Sequence, residues 1–208
     1  MEIQIDELGW TRYLNGEAGA LENIEAVIAG FERRALRDGG ATDTNLIRVA
    51  AKAYRHKAAM LAESDFAESQ RSMLRAAELA NRLTGRDRQA QLAHATFGRA
   101  QIVAMHLGIT ESGDIDLRDQ ARMDLITSAI RLAQEAQEDY EDMRDYGRVA
   151  KALTLRVRLM SAKGDRVGAQ MLAPLRDRAV QASNWSRDGA DARMVGLPRR
   201  RLGCVSFH

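Results

Sequence analysis

The chain has 208 residues, with 31 Lys and Arg against 29 Asp and Glu, one Cys, two Pro and 5% aromatics. Charged side chains recur every few positions from Glu2 to Arg201, so no window reaches the roughly 18 to 20 apolar residues of a membrane span. The start, MEIQIDELGW, is acidic where a secretory signal is basic and then apolar, and Cys204 alone closes no internal disulfide; a cytoplasmic, reducing setting is expected.

Ala, Leu, Arg, Gln and Glu dominate, Pro is absent before Pro174, and only Ile3 and Ile5 could begin a strand, so the chain reads all-α. Leu21, Ile24, Ile28, Phe31 and Ala35 form one helical stripe that Gly39-Gly40 breaks. A second helix runs from Thr42 to about Glu63 on Leu46, Val49, Ala53, Met60 and Leu61. Ser64 or Asp65 caps a third, with Glu68 completing a capping box and Met73, Ala76, Ala80 and Leu83 as its stripe. Asp87 is expected to cap a fourth helix that buries Ala93, Phe97, Ala100, Ala104 and Leu107, followed by a polar loop from Ile109 to Asp116. A fifth carries Leu117, Ala121, Leu125, Ala129, Leu132 and Ala136, and gives way between Asp139 and Asp145 to a sixth on Val149, Ala152, Leu153, Leu159 and Met160. Asp165 caps a seventh, which Pro174 is expected to kink or restart; after Trp185 the periodicity fades. Residues 1–40 thus form an N-terminal capping segment and helix, 41–185 an array of hairpins, and 186–208 a basic tail. The connections at Ser64-Asp65, Gly85-Asp87 and Gly164-Asp165 are short enough to force antiparallel neighbours.

Two of these bends carry a pattern of residue sizes. Ser64-Asp65-Phe66 is followed by Ser69, Met73 and Ala76; Gly164-Asp165-Arg166 is followed by Ala169 and Ala173, with Arg176 where a small residue belongs. The run resembles the tetratricopeptide repeat, a helix-turn-helix unit that stacks into an open superhelix. The resemblance covers Thr42 to Trp185, with long helices and with the Ile109 to Asp116 loop in place of the middle unit's tight turn. It implies about seven helices in a right-handed α-solenoid; a closed helical bundle is the alternative.

Signatures of chemistry are missing from the sequence. It holds no phosphate-binding Gly-rich loop, no G-x-G-x-x-G, no G-x-S-x-G and no H-E-x-x-H, so no catalytic residue, cofactor or metal is expected. His94 and His106 lie about 120° apart around a helix and do not face one ligand. Asp114 and Asp116 lack the Gly and Glu that a calcium loop needs in its sixth and twelfth places and read as caps. Glu135, Glu138, Asp139 and Asp142 read as a solvated face, and Cys204 as incidental, a redox or intermolecular thiol being the other reading.

The marked surface feature is cationic. Arg144, Arg148, Lys151 and Arg158 stand at offsets that confine them to about 80° of a helix. Residues 1–30 carry six acids and one Arg, whereas residues 140–208 carry 14 bases and seven acids. In tetratricopeptide proteins first helices line the concave groove, and by that resemblance Lys151 and Arg158 fall on its lining; the competing account pairs the stripe with Glu135, Glu138 and Asp139. The expectation is a non-enzymatic scaffold or interaction protein that holds a protein or peptide partner, acidic in character, through Tyr54, Arg144, Arg148, Lys151 and Arg158. Two other readings stay open: a peptide- or small-molecule-sensing regulator, and a nucleic-acid accessory protein suggested by Arg187, Arg193 and Arg199-Arg200-Arg201. A net charge of +2 without an aromatic platform argues against nucleic acid. Self-association is open too, because an open stack leaves apolar faces at its ends.

Overall fold

Five aspartates set the starts of five helices. In the computed structural model, which describes residues 6–37, 43–109 and 119–187, the long helices are α1 (Ala20–Arg37), α2 (Thr44–Leu61), α3 (Phe66–Ala80), α4 (Gly85–His106), α5 (Gln120–Asp142), α6 (Tyr146–Ala162) and α7 (Arg166–Arg187). Carboxylates of Asp43, Asp65, Asp119, Asp145 and Asp165 accept from the otherwise unpaired N–H groups of the first turns of α2, α3, α5, α6 and α7. A π-helical turn at Asp6–Thr11 and one α-turn at Arg12–Leu14 precede α1, and no strand occurs among the described residues.

Three of the long helices end in the same device. Gly108, Arg144 and Gly164 take φ of +64°, +58° and +87°. Each donates its N–H three residues back, while the next residue's N–H reaches five residues back, as in Asp145 to the Tyr140 carbonyl at 2.9 Å and Asp165 to the Met160 carbonyl at 2.9 Å. Two of the glycines follow the usual preference; Arg144 adopts the left-handed conformation with a full side chain.

One local expectation fails and another is narrowed. Asp87 does not cap α4: the helix begins at Gly85 behind Thr84, whose side chain makes no capping bond, and Asp87 lies within the first turn. Pro174 does not restart α7, which runs unbroken through it. The proline is exposed, so water can satisfy the carbonyl its ring leaves unbonded, while Ala169, Ala179 and Ala182 stay buried on the other side. Gly39-Gly40, Asp114, Asp116, Leu117, Cys204, His208, Arg193 and Arg199-Arg200-Arg201 lie outside the described residues, whereas Arg187 ends α7.

Packing is between neighbours in sequence, from α1 on α2 through to α6 on α7, with additional contacts of α2 on α4 and of α4 on α6. Alanine makes these approaches close. Ala50, Ala51, Ala53 and Ala58 on α2, Ala93, Ala95 and Ala100 on α4 and Ala129, Ala133 and Ala136 on α5 are sealed from solvent, among larger side chains such as Ile24, Leu79, Ile102 and Leu153. Ser69 is fully buried and donates to the Ala58 carbonyl at 2.6 Å, tying α3 to α2. Met73 lies against Gly98 of α4, where a Cβ would come within 2.6 Å of its terminal methyl. Among the described residues, no helix is long and apolar enough to cross a membrane.

Candidate functional site

The α6 sequence turns two kinds of side chain in two directions. Val149, Ala152, Leu153 and Leu159 go into the core, while Arg148, Lys151, Thr154, Leu155 and Arg158 border a groove of about 630 Å³. One wall comes from α4 through Phe97 and Gln101, the other from the last turns of α7 through Val180, Ser183 and Asn184. Gly147 lets α7 come close, since a Cβ there would stand 3.1 Å from the Ser183 hydroxyl oxygen. The lining is therefore apolar at Phe97, Leu155 and Val180 and positive along α6, with Asp145 as its carboxylate.

Arg148 pairs with Asp145, the residue that also caps its helix, and its guanidinium carbon lies 6.0 Å from the centre of the Tyr140 ring. Lys151 is exposed, and among the described residues no carboxylate lies within ion-pair distance of it. Behind the groove a polar cluster joins four helices. Tyr140 of α5 is 1% exposed, packs edge-on against Phe97, and places its hydroxyl 2.9 Å from Nδ1 of His94. Arg55 of α2 donates to the Gln91 side-chain oxygen at 2.6 Å. Burial, reinforced by Arg55 and Arg148, lowers the His94 pKa to about 3, so the ring is neutral at pH 7. Burial pushes the Tyr140 phenol up and brings Arg55 down to about 10, and the charge of Arg148 adds to the lowering of Arg55.

Of the residues expected to bind a partner, Arg148, Lys151 and Arg158 come together on the groove. Arg144 does not: it sits in the α5–α6 bend, outside the helix whose periodicity put it on the stripe. It borders a separate hollow of about 400 Å³ with Arg86 and Asp142, where Arg86 donates to the Met143 carbonyl at 3.2 Å. Tyr54 also stands apart. It is buried against α1 and donates its hydroxyl to Glu32 at 2.5 Å; burial and that bond raise its pKa to about 12. The proposed pairing of the stripe with Glu135, Glu138 and Asp139 is not what holds Arg148. Glu135 is bound by Arg131 at 2.8 Å, Glu138 accepts from Gln134 at 3.1 Å, and burial together with Asp142, Glu138 and Glu135 raises the Asp139 pKa.

Sequence reasoning passes over Arg55 and Tyr140, and weighs His94 only as a ligand partner of His106. A signal for Arg55 exists: Arg48, Lys52 and Arg55 repeat on α2 the spacing of Arg144, Arg148 and Lys151. No comparable signal marks His94 or Tyr140, whose meeting depends on how α4 and α5 pack. Among the described residues no group of three or more His, Cys, Asp or Glu side chains is placed to hold a metal ion. Compared with known proteins, the chain matches no family model, no curated protein and no solved structure.

Proposed function

We propose that the chain is a non-catalytic interaction module, a right-handed α-solenoid of tetratricopeptide-like hairpins, whose groove takes an acidic segment of a partner protein. The reading of the fold is supported by the hairpin bends and by contacts that lie chiefly between first and second neighbours along the chain. The reading of the function is carried by one observation: three cations line the same groove as Phe97, Leu155 and Val180, with a single carboxylate among them. From Arg148 to Arg158 is ten residues of helix, about 15 Å. That length accommodates four or five residues of an extended peptide at about 3.3 Å each. Apolar side chains of the segment would be buried on Phe97, Leu155 and Val180. Its carboxylates would set direction against Arg148, Lys151 and Arg158, each exposed pair contributing about 0 to 1 kcal/mol.

The test is fluorescence anisotropy with a labelled peptide of alternating Glu and Leu. Binding is expected to weaken at least tenfold in the Lys151→Glu, Arg158→Glu double variant and to fall with added salt. Equal affinity of variant and native chain would remove the groove as the binding surface.

A further inference from the structure

The cations on α6 have a neighbour on another helix. Arg55 is partly buried where α2 meets α4, and its hydrogen-bond partner there is an amide, the Gln91 side-chain oxygen. Among the described residues no carboxylate lies within ion-pair distance of it. One turn further along α4, His94 is held by the Tyr140 hydroxyl, and the Arg148 guanidinium carbon lies 6.0 Å from the centre of the Tyr140 ring. Gln91, His94, Phe97 and Gln101 share about 120° of the α4 surface. The α4 face that lines the groove at Phe97 and Gln101 thus runs on, past the groove's own lining, to Gln91 and the Arg55 bound to it.

The charges in this corner do not balance. Arg148 is compensated by Asp145, His94 is neutral, and Arg55 faces the charge of Arg148 with only an amide beside it. A partly buried guanidinium without an anion is costly, and a planar five-donor group is suited to binding a carboxylate or phosphate with two parallel bonds. Because Gln91 uses its oxygen on Arg55, its NH2 group is left to donate to another acceptor.

We propose that Arg55 and Arg148 together hold one oxyanion, a carboxylate or phosphate group, at the α2 end of the groove, with the Gln91 amide as a third donor. The inference rests on the groove being a binding surface and adds the group that anchors its ligand. An acidic side chain of a bound segment and a phosphorylated one share this chemistry.

The experiment titrates the full chain with sodium phosphate and, separately, sodium acetate at constant ionic strength, following arginine Nε–H signals by NMR. Saturable shifts of Arg55 and Arg148 are expected, lost in Arg55→Gln, weakened at least fivefold in Arg55→Lys, and retained in Arg166→Gln, an exposed position outside the groove. Saturation at lower phosphate than acetate identifies a phosphate-bearing ligand, and the reverse order a carboxylate. Shifts that rise linearly with either salt, or that persist unchanged in Arg55→Gln, overturn the site. A circular-dichroism melt of each variant shows that it is folded. If the anion site fails while Lys151 and Arg158 still govern peptide binding, the groove stands without it; if peptide binding fails while the anion still binds, the groove reading alone is lost.

Discussion

Lowering the pH from 7 to 5 is expected to cost the native chain about 2 kcal/mol through His94. Its ring accepts at Nδ1 from the Tyr140 hydroxyl in the tautomer protonated on Nε2, and protonation would reverse that bond and place a third positive charge beside Arg55 and Arg148. In the unfolded chain the ring titrates near its ordinary value of about 6.5. In the native chain it titrates at about 3. The group is depressed on folding, so its contribution is complete above the unfolded value and is lost as the pH falls from about 6.5 toward the folded one. Each pH unit within that window costs about 1.4 kcal/mol. Urea unfolding followed by circular dichroism at pH 7 and pH 5 measures the loss, with His94→Gln as reference because its amide oxygen can still accept from Tyr140. Asp139 and Glu141, whose raised pKa values act in the opposite sense, are common to both proteins and cancel in the comparison. Identical pH dependence of the two proteins, or an NMR titration of His94 near 6.5, would refute the reasoning.

Two further outcomes follow from residues outside the groove. Arg144→Gly is expected to raise stability by about 1 kcal/mol, read as a higher unfolding midpoint in urea, because glycine takes the left-handed conformation without a Cβ penalty. Tyr54→Phe is expected to lower stability by about 1 kcal/mol through loss of the bond to Glu32 while leaving peptide affinity unchanged. A marked fall in affinity in this variant would return Tyr54 to the binding surface.

The helices were legible in the sequence because their signals are local. The spacing of Leu46, Met73, Ala93, Leu132 and Leu153 reports one buried stripe per helix, and aspartates at positions 65 and 165 mark helix starts regardless of tertiary context. Arg144 shows where periodicity misleads: its offset from Arg148 is helical, but the chain there is a bend, and the residue expected in such a bend is glycine. Asp87 misleads similarly, since an acid is favourable both at a cap and in the first turn, and composition does not separate the two. Arg148, Lys151 and Arg158 were legible as one face of one helix. Arg55, His94 and Tyr140 belong to three helices, and their convergence follows from interhelical packing that no single stretch of sequence encodes.

The neighbour-to-neighbour packing has a consequence for how the molecule comes apart. With few ties between helices distant in the chain, protection against hydrogen exchange should grade from the outer helices α1 and α7 toward α4, with opening spreading inward from either end. Nascent chain emerging from a ribosome can likewise close its first bends before the last helices are made, since the partners of each helix are already at hand.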